Sequence, residues 1–173
     1  MTHLAALRLA PDSLAHSRTV TVSMGRMGVA RETEQLSSVG LGSCVAVIVF
    51  APKQRVAALA HCMLPERSDD DDILGKYADS AVPALLELLH DAGGTAPFAA
   101  AIVGGASMFP GLPSDFVRDI AGSNVSAAKK ALADASIPLR VEDVGGHVGR
   151  SVLVDPATQR IMVRTIRDGE RWL

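Results

Sequence analysis

Apolar positions fall in short runs separated by glycine and proline, and the period within each run assigns it to a strand or a helix. Residues 19–28 (TVTVSMGRMG) alternate polar and apolar, the period of a half-exposed strand. Residues 44–51 (CVAVIVFA) and 56–64 (VAALAHCML) are almost continuously apolar. A turn at Pro52 and Lys53, or one slightly longer, joins them into a hairpin. With both faces apolar, this hairpin belongs in the middle of a layered structure. A helix is predicted from near Lys76 to His90, with Leu85, Leu86, Leu88 and Leu89 as its apolar stripe. Pro83 is compatible with it if Ser80 caps the main segment, because first-turn amides have no intrahelical partner to lose. Gly93 and Gly94 stop the helix. A strand at 98–103 ends at Gly104-Gly105, and a helix at 124–135 leads through Pro138 to a strand at 139–144. Strands at 151–155 and 160–166 flank a turn containing Pro156, and Asp69 to Asp72 form a solvated loop.

Strands outnumber helices, and several connections are too short for a parallel crossover. The expected class is therefore α+β, a mixed α/β sandwich, rather than a doubly wound fold. No repeat or long linker interrupts the chain, so residues 19–173 are expected to form a single catalytic domain behind a flexible N-terminal arm, 1–18. The hydrophobic share is 48% but aromatics are only 3%, so the core must be built from Ala, Val, Leu and Ile. A net charge of -2 lacks the basic excess that a nucleic-acid partner requires. The early apolar stretch has no cationic start and is broken by Pro11 and Asp12, unlike a signal peptide. No run approaches the roughly 18 apolar residues of a membrane span, so no membrane insertion is expected. Two cysteines without an export signal suggest free thiols in the cytoplasm, with a disulfide as the alternative.

The hairpin carries the candidate chemistry. A two-residue turn at Pro52 and Lys53 would set Cys44 directly opposite His61, on one face and close enough for thiol and imidazole to hydrogen-bond. A one-residue slip would put them on opposite faces. Thiolate is a better nucleophile than water toward an amide, and a neighbouring imidazole can take the thiol proton and later protonate a departing amine. The preceding Gly40-Leu41-Gly42-Ser43-Cys44 offers backbone amides to an oxyanion, from Gly42, Ser43 and Cys44 itself. Ser37 and Ser38 supply the nearest hydroxyls for orienting the imidazole. Against this stands the commoner fate of such residues: a buried cysteine as an inert hydrophobe, a strand histidine as a satisfied core residue. Cys62 alternates to the opposite face and reads as structural. No ligand pair has zinc-like spacing, and no cofactor or metal is expected. The glycine-rich segments lack the G-x-G-x-x-G of a nucleotide site. Arg150 is expected to hold Asp143 rather than a partner, and His147 to be exposed.

Ser38-Val39-Gly40-Leu41-Gly42-Ser43-Cys44, followed by His61-Cys62-Met63-Leu64-Pro65, resembles the chemoreceptor glutamine deamidase family, CheD. Lys76-Tyr77-Ala78-Asp79, Gly104-Gly105-Ala106 with Met108-Phe109, and Asp143-Val144-Gly145-Gly146 with Gly149-Arg150 extend the resemblance over roughly residues 20–165. It implies Cys44 as nucleophile, His61 as base and Ser38 as the third member of a triad, where the family usually has Thr. It implies deamidation of glutamines on chemoreceptor cytoplasmic helices through a Cys thioester, a receptor methylesterase side activity, and sheets packed together with helices outside, as in deamidating toxins. It also implies binding to a chemotaxis phosphatase, and a purely regulatory module docking onto that phosphatase is the alternative function. At Gly122-Ser123-Asn124 many relatives read G-E-R-N, so the charges of that segment are missing here.

Overall fold

The computed structural model describes residues 18–68, 72–108 and 119–173. The arm up to residue 17, most of the acidic loop and Phe109 lie outside them. In chain order the elements are β1 (Arg18–Thr21), β2 (Met27–Ala30), β3 (Glu34–Leu41), β4 (Val45–Ala51), β5 (Val56–Cys62), α1 (Ala78–Asp91), β6 (Ala99–Gly104), α2 (Ile120–Asp134), β7 (Leu139–Val144), β8 (Arg150–Asp155), β9 (Arg160–Thr165) and β10 (Gly169–Trp172). They form two five-stranded sheets, ordered β1-β3-β8-β9-β10 and β2-β5-β4-β6-β7. Among the strands of the described residues, the β1–β3 and β6–β7 pairs are parallel and the others antiparallel. This is the expected α+β class.

The all-apolar hairpin β4–β5 lies at the heart of the second sheet, as its double-sided pattern demands. One of its faces, with Ala46, Ile48 and Leu59, packs on Leu36, Val154 and Val163 of the first sheet. The other, with Val45, Val47 and Ala58, is covered by Leu85 and Leu89 of α1 and Leu132 of α2. The layers are thus sheet, sheet, helices, and both helices lie on the same side. Small side chains dominate both interfaces, which lets the layers close without aromatic filling.

Several boundaries differ from the sequence expectation for local reasons. The single strand expected over 19–28 is two strands in different sheets. The chain turns at Met24-Gly25, where Gly25 has φ 73° and the Arg26 amide closes on the Ser23 carbonyl at 3.0 Å. α1 begins at Ala78, and Ser80 is not its cap: the Ser80 hydroxyl donates to the Leu74 carbonyl at 3.1 Å. Backbone carbonyls replace a side-chain cap, Leu64 accepting from the Ala78 amide and Pro65 from that of Asp79. Pro83 consequently sits inside the helix. α2 starts four residues before the expected point because Asp119 accepts from the Gly122 amide at 2.9 Å and caps it.

β3 and β10 escaped the pattern. β3 (EQLSSVGL) carries serines where an apolar run would signal a strand, and its ladder with β8 shifts register between Ser38 and Leu41. β10 is exposed at every position. A stability contrast tests the layer assignment. Ile48→Ala, between the sheets, should cost about 2–5 kcal/mol by urea unfolding. Ile166→Ala, fully exposed, should stay within roughly 0.5 kcal/mol of the parent.

Candidate active site

The β4–β5 turn is longer than the shortest reading. Pro52–Gln54 form a 3-10 turn and Arg55 adopts the left-handed region at φ 54°, so Ala51 pairs with Val56. His61 therefore lies opposite Ala46, not opposite Cys44. The correction is two residues, and because side chains alternate with period two it leaves Cys44 on the His61 face. The ladder ends at the Val45–Cys62 pair, so Cys44 is the first residue beyond it and stands diagonal to His61. Diagonal neighbours of this kind have Cβ atoms roughly 7 Å apart, within reach of side chains that lean together. Cys62 faces the helices, and both cysteines are free.

His61 is buried at the seam between the two sheets. Its backbone is held by the turn leading into β2, accepting from the Gly25 amide at 2.9 Å and donating to the Arg26 carbonyl at 3.0 Å. Its Nδ1 lies 2.8 Å from the hydroxyl oxygen of Ser38, which is also buried and belongs to β3 in the opposite sheet. That hydroxyl has one proton, and it is donated to the Val22 carbonyl at 2.8 Å. Ser38 must then accept at the imidazole, which fixes the proton on Nδ1 and leaves a lone pair on Nε2. The buried Nε2 has no hydrogen-bond partner among the described residues, so thiol and imidazole are not bonded in this resting arrangement. Ser37, the other hydroxyl considered, pairs with Leu153 of β8 and does not reach the ring.

Electrostatically both groups rest neutral. Burial pushes the Cys44 thiol up, partly offset by its own backbone amide, and burial pulls the His61 imidazole down. Cys62 is driven far above the usual thiol range, by burial first and then by the fields of Cys44 and Asp79, which leaves it an inert core side chain.

The loop before Cys44 is clamped through its own backbone groups. The Gly42 amide donates to Gly40 at 3.0 Å, so its proton is engaged within the loop. Glycine here gives room, since a Cβ would meet Met108 Sδ at 2.5 Å. The Gly42 carbonyl accepts from Ala106 at 2.7 Å and the Cys44 carbonyl from Gly105 at 2.8 Å. Gly104, at φ 119°, allows this approach because a side chain there would collide with the Cys44 carbonyl. Ser43 is exposed, and its carbonyl accepts from Asn124 Nδ2 at 2.9 Å. The segment 122–124 is thus the beginning of α2 rather than a loop, with Ser123 exposed and Asn124 buried.

Farther out, Arg150 binds Asp143 at 3.3 Å, both only 10% exposed, and donates to the carbonyls of Gly145 and Val148. This structural role matches expectation. The glycine turn it braces meets the neighbouring one where the Ser107 amide donates to Gly146. His147 is exposed beside Ser107, as its loop position suggests. The sequence reading missed Asn124; its signal was a lone amide at spacing 121, 124, 128, 132, a stripe otherwise filled by Ala and Leu.

Comparison with known proteins places these residues in context. The family model described as CheD chemotactic sensory transduction matches residues 63–165, starting just after His61 and so independently of the Cys-His pair. A protein of Halalkalibacterium halodurans named chemoreceptor glutamine deamidase CheD is 36% identical over 156 residues, covering 88% of this chain and 96% of the relative. One of the same name from Thermotoga maritima is 40% identical over 151 residues, 87% and 94% of the two chains. A probable chemoreceptor glutamine deamidase CheD of Clostridium botulinum is 32% identical over 157 residues, 89% and 97%. With a family model matching more than half its length and relatives aligned almost end to end, the chain belongs to the CheD family.

Proposed function

We propose that the protein hydrolyses the side-chain amides of selected glutamines on chemoreceptor cytoplasmic helices, giving glutamate and ammonia. The observation that carries this reading is the Val22–Ser38–His61 chain of hydrogen bonds, which leaves Nε2 as an unpartnered base on the face that carries Cys44. The substrate comes from the names of the relatives.

In the proposed reaction the Cys44 thiol gives its proton to His61 Nε2 as sulfur bonds to the glutamine carbonyl carbon. The resulting tetrahedral oxyanion is held by the amides of Ser43 and Cys44, the Gly42 amide being engaged within its loop. His61 returns the proton to the nitrogen, the C–N bond breaks and ammonia leaves a thioester. Water attacks that thioester while His61 takes its proton, and the same proton goes back to the departing sulfur, restoring the thiol. Ser38 holds the ring in the tautomer that makes each transfer possible. A methyl-glutamate ester offers the same carbon with methanol as leaving group, so a methylesterase side activity belongs to the proposal, as do a cytoplasmic location, a single working domain over 19–173 and kinship with the deamidating toxins.

The alternative, a module that docks onto a chemotaxis phosphatase, asks nothing of Cys44. Mass spectrometry separates the two. Incubation with receptor cytoplasmic fragments should add about 1 Da at particular glutamines, and Cys44→Ala should abolish this while remaining folded. Turnover by that variant would refute the nucleophile, whereas phosphatase binding with no wild-type deamidation would favour docking.

The titration of His61 gives a second test. Because burial lowers its pKa from the usual 6.5, the base form persists into more acid solution, and the acid limb of kcat/KM should lie below pH 6.5. Ser38→Ala removes the acceptor that fixes the tautomer, and kcat should fall roughly tenfold or more. An acid limb above 6.5, or an unchanged rate in the serine variant, would contradict the assigned roles.

A further inference from the structure

We infer that Asn124 is a positioning residue that sets the approach of Cys44 to His61, an inference that rests on the deamidase reading above. Its side chain is completely buried, and its Nδ2 donates to two carbonyls at once, Ser43 at 2.9 Å and Met63 at 3.0 Å. Both acceptors are carbonyls, so only the NH2 end of the amide can face them. Ser43 immediately precedes Cys44, and Met63 lies two residues beyond His61. The β4–β5 ladder stops at Val45–Cys62, so positions 43 and 63 lie where pairing between the strands has ended. One amide nitrogen takes the place of the missing ladder and holds the two strand ends within its reach.

Asn124 is otherwise a poor choice for its place. It occupies the inward stripe of α2 with Ala121, Ala128 and Leu132, where an apolar side chain would pack without cost. Asparagine is a weak helix former, and among the described residues the buried Oδ1 has no partner. A residue that conflicts with its helix, its layer and its own acceptor is explained by what its two N–H groups do. Met63 is also anchored from the other side, its amide donating to Lys76 at 2.8 Å, and Cys44 is anchored by Gly105. The Asn124 bridge joins these two anchored ends across the mouth of the hairpin, and it acts through the backbone without touching substrate.

Alkylation of Cys44 by iodoacetamide at neutral pH tests this directly, alongside deamidation kinetics. Cys62 is the chain's second cysteine and is fully buried, so its protection reports that each variant is folded. His61→Ala should slow alkylation of Cys44 about tenfold. Asn124→Ala should slow it severalfold and lower kcat about tenfold with KM within about twofold, as expected when an arrangement needed only for the chemical step is lost. The double variant should be no slower than His61→Ala alone, because both changes remove the same approach. Asn124→Leu, which keeps nearly the same size and offers no donor, should behave like Asn124→Ala and serves where the alanine variant unfolds. Wild-type rates in a folded Asn124 variant overturn the inference. Additive losses in the double variant do so too, because they assign Asn124 to general stability. If His61→Ala alkylates at the wild-type rate, the Cys44–His61 reading falls and this inference with it. If His61 matters and Asn124 does not, only this inference falls.

Discussion

A histidine buried between two apolar sheets must find a partner for at least one ring nitrogen, and the way His61 does so organises the protein. Leaving a buried polar group unpaired costs about 1–3 kcal/mol, so the Nδ1 proton needs an acceptor in a layer that otherwise offers methyl groups. The acceptor comes from Ser38 in the opposite sheet, and the Ser38 proton is passed on to the Val22 carbonyl in the segment that carries the chain from β1 toward β2. Three separate stretches of chain thus meet in one line of hydrogen bonds. The line is closed at the Val22 end and open at Nε2, where the next group on the same face of the hairpin is Cys44.

That arrangement explains which parts of the site were legible in the sequence. Side-chain parity was readable because β4 and β5 are short, unbroken and apolar on both faces, so the only freedom was the length of the turn. Arg55 in the left-handed region lengthens that turn by two residues in all, which moved the partner of His61 from Cys44 to Ala46 and preserved the face. β3 was not legible, because its inward position carries Ser38 where a methyl-bearing residue would have announced a strand. The residue that disguised the strand is the one the histidine requires. Asn124 was obscured in a similar way: it stood at the very start of the helix expected over 124–135, yet Asp119 caps the helix a turn ahead of it and delivers the amide into the interior.

Burial also sets the resting chemistry. It raises the thiol and lowers the imidazole, so the layers that protect the pair oppose the ion pair on which cysteine hydrolases often rely. Among the described residues, what favours the thiolate at Cys44 is its own backbone amide rather than a charged side chain. In the proposed reaction proton transfer then accompanies sulfur attack, so that distance and angle matter more than standing charge. The dense backbone clamping of residues 42–44 by Ala106, Asn124 and Gly105 is what a site of that kind needs.

The same clamps tie the site to the helical layer on the far side of the second sheet. α2 covers the outer face of the second sheet through Ala128 and Leu132, while one turn earlier it reaches with Asn124 to the ends of the central strands that carry Cys44 and His61. The helix cannot shift along its groove without straining the two hydrogen bonds that Asn124 makes to Ser43 and Met63. Packing of a helix on a sheet is stiff because dense interiors resist sliding, so the outer layer passes its rigidity to a pair of side chains that make no bond with each other at rest. In this protein the helical layer does more than shield the sheet: it supplies the fixed distance that a neutral thiol and a neutral imidazole cannot supply by mutual attraction.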